Sequence, residues 1–117
     1  MSFKRIPLSA FVNPHQYADI SAGSSGTVWM FVVPAGYTMF IDTIANKWYD
    51  NTYLMWQIDN NVERVARVIA PIDNPKSYSP PIVVKRIMKV TAYNNSSESK
   101  VFEWIADGYL VNRRLYI

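Results

Sequence analysis

Two runs of large apolar and β-branched residues, TVWMFVV (27–33) and YTMFIDTIAN (37–46), flank the turn Pro34-Ala35-Gly36. Proline fixes φ and lacks an N–H, and glycine can supply the positive φ of a tight turn, so the pair interrupts any helix here. Nowhere does the chain keep an apolar face at i, i+3, i+4 and i+7 beyond two turns. The period it keeps is two. In TYLMWQID (52–59), Leu54, Trp56 and Ile58 share one face and Tyr53, Met55 and Gln57 the other. In KVFEWIADGYLV (100–111), Phe102, Trp104, Ala106 and Leu110 oppose Val101, Glu103, Ile105 and Asp107. Such alternation belongs to half-buried strands.

The remaining segments complete a strand list. TVWMFVV is almost continuously apolar, which predicts a strand buried on both faces. Asp59-Asn60-Asn61 predicts a hairpin turn, with VERVARVI (62–69) returning antiparallel. The proline-rich APIDNPKSYSPP (70–81) reads as a loop, since it cannot be a central strand. IVVKRIMKVTAY (82–93) reads as the longest strand, with Ile82, Val84, Met88, Val90 and Ala92 on one parity and a bulge to accommodate Arg86. NNSSES (94–99) is a polar turn. Six to eight strands at this spacing predict an all-β antiparallel sandwich. Residues 1–23, with Pro7 and Pro14, read as an N-terminal arm and first extended segment. Residues 24–117 read as the sandwich with a short C-terminal tail, NRRLYI. At 117 residues this is one domain with a small core. Aromatic residues, 15% of the chain, fill such a core economically, at about 150–250 Å² of burial each.

Few groups could do chemistry. There is no cysteine, hence no disulfide, thiolate nucleophile or zinc-thiolate site. The one histidine, His15, reads as a surface or packing residue, and no nucleophile-elbow, phosphate-loop, dinucleotide or HExxH motif accompanies it. Asp42 and Asp107 are read as facing water or pairing with Arg64, Arg67 or Lys85, rather than as the carboxylate couple of a glycosidase. Asp59-Asn60-Asn61 lacks the acidic pattern of a calcium loop. The sequence therefore predicts no enzyme, no cofactor and no metal. The opening MSFKRIPLSAFVNP has no apolar run of the signal-peptide kind, and no stretch approaches the ~20 apolar residues that span a membrane.

Three kinds of partner are compatible with this sequence. The net charge of +3 permits an anionic partner without demanding one. Arg64, Arg67, Lys85, Arg86 and Lys89 lie on two strands that could pair, but Arg64 and Arg67, three apart, point to opposite faces, so nucleic acid is the less favoured partner. Trp48 and Tyr49, beside a turn, are the candidates for stacking on a glycan, whereas Trp29, Trp56 and Trp104 read as core. Third, strands 37–46 and 52–59 are apolar on both faces, so something must cover the outer one, and a second copy of the chain would do so. Phe3, Lys4, Arg5, Ile6 and Phe11 in the arm and Arg113, Arg114, Leu115 and Tyr116 in the tail combine basic and apolar character. They are the candidate contacts with neighbouring subunits.

The succession VPAGYTMFIDTIAN, LMWQIDNN and EWIADGYLV, over residues 27–111, resembles the pattern of small β-sandwich virion proteins of tailed phages. The resemblance implies a jelly-roll-like fold and a structural role on a virus particle assembled in the host cytoplasm. The chain would be a capsid decoration or cement protein, or part of a tail or fibre, and its partners would be the major capsid protein or other virion proteins.

Overall fold

The structure, a computed structural model, describes residues 4–13, 15–47, 49–59 and 76–113, and residues 61–66 in backbone. Nine strands occur among them: β1 (Arg5–Pro7), β2 (His15–Ile20), β3 (Ser25–Val32), β4 (Tyr37–Asn46), β5 (Thr52–Ile58), β6 (Asn61–Ala66), β7 (Lys76–Val84), β8 (Ile87–Asn94) and β9 (Lys100–Asn112). A short 3-10 helix, Leu8–Ala10, follows β1.

Their pairing is nested. β2 pairs with β9, β3 with β8, β4 with β7 and β5 with β6, all antiparallel. This is one long hairpin whose tip lies between β5 and β6. Rolling it up brings β4 against β9 and β5 against β8. The outcome is two sheets, β1/β2–β9–β4–β7 and β3–β8–β5–β6, the strand order of a jelly roll. β1 lies against Tyr109–Val111 and β2 against Lys100–Ile105, so the two run end to end along one edge of β9. Counting that edge once gives eight strand positions, within the expected six to eight.

The period-two pattern explains which faces meet. Met39, Ile41, Val84, Phe102, Trp104, Ala106 and Leu110 point inward from the first sheet, and Trp29, Leu54, Trp56, Met88, Val90 and Ala92 from the second. At the centre Trp104 from β9 reaches across to Trp29 of β3, 6.0 Å between rings, and to Trp56 of β5, 5.7 Å and edge-on. The alternation in β5 and β9 therefore assigned Trp56 and Trp104 to the core correctly, and Trp29, also read as core, is buried in β3.

Four expectations are corrected. β3 is not buried on both faces: a bulge at Val28 shifts its register against β8, and Met30 and Val32 are 53% and 62% exposed. Residues 82–93 are not one strand. Val84 and Met88 keep the same parity, but the chain turns at Lys85-Arg86 and passes from one sheet to the other, so the parity persists across a corner instead of a bulge. The proline-rich segment is not all loop: from Lys76 it forms β7, at the sheet edge where a missing N–H is tolerated. Pairing with β4 lapses between Ile82 and Ser77, where Pro80 and Pro81 lie. Finally, the strands carrying Arg64 and Lys89 do not pair, because β5 separates β6 from β8. The hairpin at Asp59 forms as expected, with Ile58 facing Asn61. The segment read as an arm contains β1, β2 and Leu8, whose side chain is fully buried in the core.

Candidate functional site

The described connections fall at the two ends of the sandwich. Among the described residues, one end gathers residues 21–24, 47, 49–51 and 95–99, and Asn94 organises it. Its buried amide donates from Nδ2 to the carbonyls of Ile20 and Glu98, both at 2.9 Å. Its Oδ1 accepts from Ser96 N and Ser96 Oγ. Its backbone bonds Ser24 and Gly23. A polar side chain without solvent is tolerable because each of its hydrogen-bonding positions is used.

Tyr49, proposed for stacking on a glycan, sits at this end with its ring engaged. Its hydroxyl donates to the Val101 carbonyl at 2.8 Å, and its ring meets Phe102 edge-on at 5.6 Å. Lys100 and Lys47 approach the ring at 5.1 and 5.8 Å. Trp48 lies outside the described residues. On the outer face of the second sheet, Tyr53 and Tyr93 stack on each other at 4.6 Å across β5 and β8.

The opposite end is built from three tight connections: Val33–Gly36, the β5–β6 turn at Asp59, and the corner Lys85-Arg86. Asp59, with φ of 50°, turns its carboxylate back onto the corner. Oδ2 accepts from Lys85 N at 2.9 Å, and Oδ1 from Arg86 N at 2.6 Å and Ile87 N at 3.1 Å. Partial burial alone would push its pKa up. The three backbone donors and the Arg86 guanidinium outweigh that and hold it below the ordinary 3.8. The Arg86 carbonyl accepts from Val33 N, and the Gly36 carbonyl from Arg113 N, both at 2.7 Å. The Pro34-Ala35-Gly36 turn is thus bracketed by two arginines that lie 27 residues apart in sequence.

Of the candidate contact residues, Lys4, Arg5 and Arg113 are exposed at this same end. The Arg5 guanidinium lies 4.4 Å from the Tyr109 ring, whose neighbour across β4 is Phe40, stacked at 5.2 Å. Ile6 is half-buried in β1, opposite Leu110. Phe11 packs edge-on against Phe31 and Tyr37. Phe3, Arg114, Leu115 and Tyr116 lie outside the described residues. The sequence reading missed the place of Lys85 and Arg86 at this end. The signal was present: Arg86 breaks the parity of an otherwise apolar face, which marks a corner as well as it marks a bulge.

Elsewhere the polar groups serve the framework. His15 Nε2 lies 3.2 Å from Glu103 Oε2, joining β2 to β9 on the outer face. A bulge in β4 brings Asp42 beside Asp107, since Thr43 faces Asp107 and Ile41 faces Gly108. Neither carboxylate meets Lys85. Asp42 accepts from Thr43 Oγ1 and Asp107 from Gly108 N. Among the described residues no three His, Asp or Glu side chains converge as a metal would need.

The fold and these surfaces define a jelly-roll sandwich whose exposed features are charged ends and apolar outer faces. In comparison with known proteins, no family model, curated protein or solved structure matches the chain.

Proposed function

We propose that this chain is a non-enzymatic structural virion protein, a capsid decoration or cement component that works by adhesion to its own copies and to other virion proteins. The supporting observation is apolar side chain left over once the core is full. Tyr17, Met30, Val32, Val83 and Val101 are 44–62% exposed although the space between the sheets is already occupied by inward-facing residues. Jelly rolls serve as viral capsid and lectin domains among other roles, so the fold supports an architectural part without specifying it. Of the two roles, adhesion draws on more of the surface: the glycan reading depends on Trp48 and Tyr49 alone, and the Tyr49 ring is already engaged.

Quantitative mass spectrometry of purified particles from the source tests this directly. Hundreds of copies place the chain in or on the shell. A handful moves it to a tail or fibre, where a glycan array with Trp48→Ala becomes the next comparison. No copies overturns the proposal.

A further inference from the structure

The end of the sandwich at Val33–Gly36 concentrates positive charge. Lys4, Arg5, Lys85, Arg86 and Arg113 are all exposed there, three chain segments apart in sequence but joined through the Arg86–Val33 and Arg113–Gly36 backbone bonds and through β1 pairing with β9. Among residues with described side chains, the acid at this end is Asp59, and its carboxylate oxygens are turned onto three backbone N–H groups. Asp19 pairs opposite Val101, Asp50 and Glu98 lie at the other end, and Asp42, Glu103 and Asp107 lie along β4 and β9. Asp59 also faces the Arg86 guanidinium. Among the residues with described side chains, Lys4, Arg5, Lys85 and Arg113 make no ion pair with a carboxylate.

We infer that this cationic tip, Lys4, Arg5, Lys85, Arg86 and Arg113 around the Pro34-Ala35-Gly36 turn, docks an acidic polypeptide surface. Like charges held close raise each other's energy, and a complementary surface relieves that repulsion while it steers encounter. A polypeptide fits better than single-stranded nucleic acid, which binds by stacking bases on open rings over a cationic track. The ring best placed here, Tyr109, is covered by Phe40 from β4 and by Arg5 from β1, strands on opposite sides of β9. Phe11 is taken up edge-on between Phe31 and Tyr37. The tip therefore offers charge without a stacking platform.

The inference rests on the adhesion reading only in taking a surface to be the working part, and sedimentation of the chain alone reports self-association separately. The experiment is fluorescence anisotropy of labelled poly-L-glutamate and of a labelled single-stranded oligonucleotide against the full chain, over a salt series. Poly-L-glutamate is expected to bind and to weaken as salt rises. Arg86→Gln with Arg113→Gln should weaken it about fivefold at low salt, as two exposed ion pairs would. Arg86→Lys with Arg113→Lys should retain binding. Lys47→Gln with Lys100→Gln, which removes the same charge from the other end, should leave it unchanged. Lys4→Gln with Lys85→Gln repeats the test without touching either bracket of the turn. Equal weakening by the two ends would overturn the inference, as would tighter binding of the oligonucleotide or no binding of poly-L-glutamate at all.

Discussion

The carboxylate of Asp59 closes the corner at Arg86: it accepts Arg86 N at 2.6 Å together with the N–H groups on either side. One side chain in a hairpin of the second sheet thereby fixes the point at which the chain leaves the first. The same corner carries Arg86 to the Pro34-Ala35-Gly36 turn, so the position of the cationic tip depends on this acid.

Replacing Asp59 by Ala leaves three turn donors to water and should cost about 1–2 kcal/mol, modest for charge-assisted bonds because the corner is half-exposed. Asn keeps one acceptor oxygen and should fall between. The acid's pKa is lowered by folding. Its contribution is therefore complete above the unfolded value and is lost as pH falls through the folded one, below 3.8. Urea midpoints measured from pH 6 down to pH 2.5 should decline in the wild type, and less steeply in Asp59→Asn.

Asn94 makes a second prediction. Truncation to Ala strands the Ile20 carbonyl in a buried setting, while the exposed Glu98 carbonyl keeps Ser96 Oγ as a donor, at a cost of about 1–3 kcal/mol. Aspartate at this position would set a carboxylate oxygen against those two carbonyls and should be no better. Hydrogen exchange should then quicken at residues 20–24 and 94–98, where the Asn94 network joins two loops, before it quickens in β5.

The three central tryptophans separate packing from hydrogen bonding. Among the described residues, the indole N–H groups of Trp29, Trp56 and Trp104 are buried and meet no hydrogen-bond partner. Replacing Trp104 by Phe thus breaks no such bond and removes only part of the ring volume. It should cost less than half of the about 3–5 kcal/mol that Trp104→Ala costs through its cavity. Chemical denaturation of the two variants gives the comparison. Were Phe as harmful as Ala, the N–H would be performing work that the packing does not reveal.

Gly108 tests the contact between β4 and β9. A Cβ there would run into the Phe40 carbonyl oxygen, and lie 2.9 Å from Ile41 Cα. Both are backbone atoms of the neighbouring strand and cannot rotate aside. Gly108→Ala should destabilise by about 2–4 kcal/mol, the scale of an overpacked core, with amide shifts in NMR spectra concentrated at residues 39–44.

Much of this architecture was legible. Alternation in 52–59 and 100–111 gave two strands, their inward faces and the burial of Trp56 and Trp104, because period two decides which side chains leave water. The failures share a cause, since parity is a local quantity while sheets are not. Val84 and Met88 are both inward, yet in different sheets, because a chain that turns a corner presents its inner face to the same core from the other side. Met30 and Val32 are as apolar as Phe31 and Val33 but point outward, so residue type misled where position did not. β7 was hidden by prolines that an edge strand tolerates. The cationic tip was invisible for another reason: Arg5, Arg86 and Arg113 are gathered only by the rolling of the hairpin.

The N-terminal segment carries the last prediction. As part of the segment 1–23 read as an arm, residues 1–12 are expected to be needed for assembly. The structure places β1 on the edge of β9 and Leu8 in the core at 0% exposure. Deleting them uncovers the apolar edge at Tyr109–Val111 and removes a buried leucine, whose truncation alone costs about 2–5 kcal/mol. Deletion should therefore lower the denaturation midpoint by at least as much as Leu8→Ala, and its effect on assembly would confound folding with contact. The discriminating variant is Lys4→Gln with Arg5→Gln, which leaves β1 paired and Leu8 in place. Its stability should stay within about 1 kcal/mol of the wild type, the loss being that of the exposed Arg5–Tyr109 ring contact. Loss of assembly in that variant with stability in that range would assign the defect to the surface. Unchanged assembly would assign the segment to the sheet alone.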